Sequence, residues 1–168
     1  MTDIRYVQKT ISYNVISHGK PVNSLEANVL SQAGREVLIK AVAMAVPAYP
    51  MSIFLMPLTL CKKVNSDISN FWWGYSNSKE KIHWKAWDSL CTSKFERGIG
   101  FKDLHIYIMA LLAKQCWRLI NKPESLWSRI LRARYFDKST FLKAKKGARP
   151  SWVWNSLLAS REVIEDNL

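Results

Sequence analysis

From Ala41 to Cys61 the chain carries no charged side chain, yet Pro47, Pro50 and Pro57 interrupt it. An uncharged run of this length is hidden from water, either in lipid or in a protein core. Each interior proline deletes a helical N–H and crowds the preceding turn, and hydrocarbon offers no substitute partner for the freed carbonyl. Ser52 and Thr59 dilute the run further. It therefore predicts helices broken at the prolines and packed in a core, with membrane association of residues 41–61 as the alternative.

The remainder of the chain from Ser31 onward reads as shorter helices of the same kind. Ser31 caps the first, whose apolar face holds Val37, Leu38, Ala41, Val42, Met44 and Ala45, and Pro47 ends or kinks it. Residues 48–56 continue on a new axis. A second helix opens at Thr59 or Leu60, with Val64, Ile68, Phe71 and Trp72 at helical spacing and Gly74 as its stop. Residues 75–82 form a polar loop, and Ile82 to Trp87 leads into a short helix ending near Cys91. After a turn at Gly98-Ile99-Gly100, Asp103 caps a long helix from Leu104 to Asn121. Pro123 suits the first turn of the next helix, which carries Leu126, Trp127, Ile130, Leu131 and Tyr135. Lys138 to Pro150 is a basic loop, and Ser151 caps a final helix from Trp152 to Ile164. Residues 7–16 alternate and are rich in β-branched side chains, which reads as a strand, but nothing after the turn at Ser17–Pro21 provides a partner. The fold class expected is mainly α: an irregular helical array with a short N-terminal β strand or hairpin remnant.

The 168 residues carry a net charge of +12, and the surplus is concentrated. Between Lys114 and Arg149 eleven bases face only Glu124 and Asp137. Such a stretch suits an anionic partner, DNA or RNA above all, held by charge and without sequence preference; a solvated helix face and an anionic membrane are the other readings. The candidate contacts are Lys114, Arg118, Arg129, Arg132, Arg134, Lys143, Lys145, Lys146 and Arg149. The eight tryptophans offer base-stacking surfaces, but their spacing among Leu and Ile puts Trp72, Trp117 and Trp127 in the core, with Trp73 and Trp154 partly exposed.

Residues that do chemistry are scattered. His18, His83 and His105 stand far apart, no Cys-x-x-Cys or His-x-x-x-His pair suggests zinc, and no phosphate-binding glycine loop is present. No two aspartates are adjacent, so the acidic pair that holds two metal ions for phosphoryl transfer has no counterpart. Neither cofactor, metal nor small-molecule substrate is expected. Cys61, Cys91 and Cys116 are widely spaced and odd in number, which favours a reducing, intracellular compartment, and Cys116 lies in an apolar helix as a packed thiol. The N-terminus has no apolar core of a signal peptide and no persuasive transit-peptide composition.

Several segments, in order, resemble plant non-LTR (LINE-type) retrotransposon reverse transcriptases. They are Leu30-Ser31-Gln32-Ala33-Gly34-Arg35-Glu36-Val37-Leu38-Ile39-Lys40-Ala41-Val42, Asn70-Phe71-Trp72-Trp73-Gly74, Ile82-His83-Trp84, Gly98-Ile99-Gly100-Phe101-Lys102-Asp103-Leu104, and Ala110 to Leu119, continuing to Arg134-Tyr135 and Ser151-Trp152. The likeness covers roughly 27–168 and extends to the reverse-transcriptase-like open reading frames of plant mitochondrial genomes. It implies a thumb-like helical region at 27–76 and a basic, Trp-rich helical region at 77–168. Thr10 to Ile16 with Gly19-Lys20-Pro21 is similar to a palm strand and turn, so that 1–26 would be a palm remnant. The family's catalytic stretch, with its metal-binding Asp-Asp, would have been deleted near Val22–Glu26. The resemblance thus implies a catalytically dead polymerase fragment of mitochondrial or nuclear origin, or a globular product with no ligand. Arg97 stands where the family tends to have Gly, Ile108 where it often has Asn, and Ser93 where Pro is common.

Overall fold

The computed structural model describes residues 30–165 apart from 46, 77–78 and 81, and seven α-helices lie among these described residues. They are α1 (Gln32–Leu38), α2 (Ala48–Met51), α3 (Leu58–Trp73), α4 (Trp87–Cys91), α5 (Leu104–Asn121), α6 (Leu126–Tyr135) and α7 (Trp152–Glu165). The mainly α fold is the one the helical spacing implies. The only ladder among the described residues is a two-residue antiparallel pair, β1 (Tyr75–Ser76) with β2 (Lys79–Glu80), inside the loop expected at 75–82. The strand expected at 7–16, and with it the remnant at 1–26, lies outside the described residues. Two compact units emerge: Met56–Ile106 with the described part of Met1–Pro50, and Met51–Leu55 with the described part of Tyr107–Leu168.

Pro47 and Pro57 divide the uncharged run as expected, whereas Pro50 lies inside the short α2, which ends at Met51 and not at residue 56. The Ser31 hydroxyl caps α1 by accepting the Gly34 N–H at 3.2 Å. The helix then widens into a π turn at Ile39–Ala43, where the Met44 N–H reaches the Ile39 carbonyl. Pro47 is fully buried just before the short α2, and Pro57 caps α3, which opens at Leu58, slightly ahead of the expected Thr59. No helix among the described residues is long and apolar enough to cross a membrane.

α3 buries Cys61, Val64, Asn65, Ile68, Ser69 and Trp72, one stripe at helical spacing. It stops at Gly74, whose φ of 80° is a conformation costly for any side chain. The exposed carbonyls of this helix end are met by Arg35 of α1. Arg35 is buried, and its Nη1 donates to the Trp72 carbonyl at 3.2 Å. A buried guanidinium is uncommon without a partner, and the negative end of a helix dipole is a suitable one. The Leu30–Val42 and Asn70–Gly74 motifs are thus two halves of one joint.

The Gly98–Leu104 motif is a second joint. The Leu90 carbonyl accepts from both Ile99 and Phe101, and the Thr92 carbonyl from Gly100. Lys40 donates to the Ile99 carbonyl at 2.7 Å, while Glu36 pairs with Lys40 and Lys94, each at 2.8 Å. Trp87 stacks on Phe101 at 5.6 Å and Trp72 meets the same ring edge-on at 5.2 Å. Asp103 caps α5 as expected, its Oδ1 accepting the Ile106 N–H. Buried Asn65 ties α3 to this cap by donating to Asp103 at 2.7 Å and accepting from the Leu104 N–H.

Arg97, standing where the resembled family tends to have Gly, adopts φ 63° in the left-handed region. Arg97→Gly is expected to raise stability by roughly 0.5–1 kcal/mol, the relieved strain less the freedom that glycine adds to the unfolded chain. Denaturant midpoints for the two proteins check it.

The second unit packs Ala113, Cys116, Leu119, Leu131, Phe136, Phe141, Ala144, Trp154, Leu157 and Ile164 into one core. Two tryptophans are placed contrary to expectation. Trp154 is fully buried, and Trp117 is 51% exposed. On α5 the inward stripe is Leu112, Cys116 and Leu119, and Trp117 follows Cys116 by one residue, about 100° round the helix. On α7 the stripe is Trp154, Leu157, Ser160 and Ile164, so Trp154 begins it. Trp72 is buried and Trp127 and Trp73 are partly so. Pro123 is not in the first turn of α6: it lies in the preceding turn, and the Ser125 hydroxyl caps the helix instead, accepting the Ser128 N–H. Ser151 caps α7 as expected, accepting the Trp154 N–H.

Candidate nucleic-acid interface

All nine basic candidates fall in the second unit, and all nine are exposed. Lys114 and Arg118 project one helical turn apart from α5, with Trp117 on the same side. Arg129, Arg132 and Arg134 come from α6, where Leu126 and Ile130 are also exposed. Lys143 ends a 3-10 turn (Phe141–Lys143), and Lys145, Lys146 and Arg149 follow in the loop before α7. The nine thus form three local groups, each on its own element. Trp117 is the member that sequence reasoning missed; its offset from the Leu112, Cys116 and Leu119 stripe was the available signal.

Among the described residues, none of the nine is ion-paired; the ion pairs there join Glu36 to Lys40 and Lys94, and Arg161 to Glu165. Arg118, Arg132 and Arg134 lie in the last turns of their helices and complement the dipole there. Arg134 also lies over the Tyr135 ring at 5.5 Å. Burial raises the Tyr135 phenol, but hydrogen bonds with Ser151 and the nearby Arg134 charge outweigh it and hold the phenol below its ordinary value.

Among the described residues the cysteines are packed or weakly acidic, and Asp103 and Glu36 are engaged in a cap and in ion pairs. Cys116 is packed as expected, its Sγ donating to the Leu157 carbonyl at 3.3 Å, and burial pushes its thiol up to about 11. Cys61 and Cys91 line a cleft of about 540 Å³ in the first unit, where burial pushes their thiols up to about 11 and about 12. Thiols this weakly acidic are protonated near neutrality and make poor nucleophiles. Asp103 and Asn65, also on this cleft, are engaged in capping α5. Among the described residues no group of three His, Cys, Asp or Glu is placed to hold a metal ion.

This is a mainly helical protein whose second unit displays unpaired cations. Over 126 residues, 74% of this chain, it is 45% identical to the "Uncharacterized mitochondrial protein AtMg00310" of Arabidopsis thaliana, of which the match covers 82%. The chain belongs to the family of that protein. It is also 35% identical over 106 residues to the "Putative ribonuclease H protein At1g65750" of Arabidopsis thaliana, but spans only 17% of that longer protein. No family model matches the chain. No solved structure matches it either.

Proposed function

We propose that the chain descends from the thumb and following region of a plant retrotransposon reverse transcriptase, and that it grips nucleic-acid backbone without catalysing synthesis. The observation that carries this is the set of nine exposed cations on one unit with no carboxylate partner among the described residues. Unpaired surface cations release phosphate counterions on binding, which supplies affinity with no need to read bases. A relative carrying a ribonuclease H name fits an element that handles RNA and DNA together. A relative named as mitochondrial fits a mitochondrial setting. The division at residue 26 belongs to the same reading, as the junction left by loss of the catalytic stretch, and that at residue 76 as the end of the thumb-like helices. Transfer of a nucleotidyl group needs carboxylate-held metals at the transferring phosphate, so no polymerase activity is expected.

The test is a fluorescence-anisotropy titration of the full chain with mixed-sequence DNA and RNA across a salt series. The logarithm of affinity should fall linearly with that of salt, by about 0.9 for each duplex phosphate neutralised. A variant carrying Lys143→Glu, Lys145→Glu and Lys146→Glu should flatten the slope by about one for each phosphate it no longer neutralises. Affinity that is equal at low and high salt, or no binding at all, overturns the reading and favours a globular product without a ligand. Mg²⁺-dependent primer extension by the pure protein overturns the absence of polymerase activity.

A further inference from the structure

We infer that Trp117 is a stacking platform for an unpaired base, so that the basic surface of α5 takes single-stranded nucleic acid in preference to duplex; this rests on the nucleic-acid reading above. Trp117 is 51% exposed, whereas the other tryptophans of its unit, Trp127, Trp152 and Trp154, are partly or fully buried. Among the described residues its ring pairs with no other aromatic ring, in contrast to Trp152 on Phe54 and Trp154 on Tyr135. The cations flanking it are Lys114, one turn earlier, and Arg118, the next residue, both exposed and unpaired among the described residues. They lie about 6 Å apart along the helix axis, on either side of the indole in sequence.

An apolar ring between two positive charges is a poor match for another protein's apolar surface, because docking would strip water from both cations with nothing to replace it. It is a good match for a nucleotide, whose base offers a π face and whose neighbouring phosphates offer the counter-charges. In a duplex the base faces are already stacked on one another, so the indole gains nothing there and only the cations contribute. Preference for a single strand therefore comes from the indole, and salt dependence from the flanking charges.

The experiment compares a single-stranded thymidine oligonucleotide with a mixed-sequence duplex of equal length at fixed salt, using the full chain and anisotropy as readout. Trp117→Ala should weaken single-strand binding roughly 10-fold while leaving duplex binding within about two-fold. Trp117→Phe should restore most of the loss, since it keeps a ring for the base. Lys114→Gln with Arg118→Gln should lower the salt slope by about 1.8 on the duplex and about 1.4 on the single strand. Thermal melts of the variants check that each is folded, and the phenylalanine variant keeps the test valid if alanine disturbs α5. Unchanged single-strand affinity in Trp117→Ala, or equal weakening on both ligands, overturns the inference while leaving the charge-based reading intact. No binding of either ligand by the unsubstituted chain overturns both.

Discussion

Trp154→Ala is expected to destabilise the chain by about 4 kcal/mol, the middle of the range for truncating a buried aromatic ring. The Trp154 indole is fully buried. It stacks almost parallel on Tyr135, with centroids 4.5 Å apart and planes 3° apart, and on Phe136 at 5.7 Å, while Phe141 meets its edge at 5.9 Å. Removing it withdraws the common surface of three rings, and the cavity left is too large for neighbouring side chains to fill without moving α6 and α7. Thermal denaturation followed by near-ultraviolet circular dichroism measures the effect, because the aromatic signal depends on this cluster. Trp154→Phe should cost markedly less. A melting temperature unchanged by Trp154→Ala contradicts the assignment of Trp154 as the centre of this core.

Gly98→Ala is expected to cost about 3 kcal/mol and to lower the melting temperature on the order of 10 °C. The requirement for glycine here is space: a Cβ would collide with the carbonyl oxygen and carbon of Thr92. Those atoms are backbone and are held in place, because the Thr92 carbonyl accepts the Gly100 N–H and the Gly98 N–H itself donates to Ser93. Accommodating the methyl group means breaking the turn on which Ile99 and Phe101 hang from Leu90. Gly147, in the loop before α7, is the contrasting case. There no atom lies within 4 Å of the added carbon, so the same substitution meets only the strain of φ 76°. Denaturant unfolding of both variants separates crowding from conformational strain.

The helices were legible in the sequence wherever a local rule decides them. Pro47 and Pro57 break the uncharged run, Gly74 ends α3, and Asp103 and Ser151 cap α5 and α7 where a hydroxyl or carboxylate precedes an apolar stripe. Pro123 misled because proline at a helix start and proline in the turn before it obey the same φ, and only the Ser125 cap distinguishes them. The reversal of Trp117 and Trp154 has a different cause. Trp117 lies about 100° off the Leu112, Cys116 and Leu119 stripe, a register the sequence does carry, whereas the face on which Trp154 begins a stripe is set by packing between elements distant in sequence.

The long-range joints were the least visible. Nothing local in the sequence marks Arg35, yet it is buried against the end of α3. Nor does anything local mark Asn65, which bridges Asp103 and Leu104. The segments that carry the resemblance, Gly34-Arg35, Trp72-Trp73-Gly74 and Gly98 to Leu104, prove to be places where backbone turns meet side-chain donors. The basic residues were legible as a surplus but not as a surface, since sequence shows charge and not its partners.

The short stretch Met51–Leu55 belongs to the second unit although the chain on both sides of it belongs to the first. Phe54 packs on Trp152 at 5.0 Å, and the Leu55 N–H donates to the Ser156 hydroxyl across 101 residues of sequence. During synthesis these two residues leave the ribosome long before α7 exists, so the first unit holds all of its own described chain by Ile106 while Phe54 and Leu55 still await their partners. A peptide starting at residue 107 would lack them altogether, and its α7 would present the Trp152 ring and the Ser156 hydroxyl to water. The order in which the ribosome delivers the chain therefore sets the order in which the two units can be completed, the first before the second.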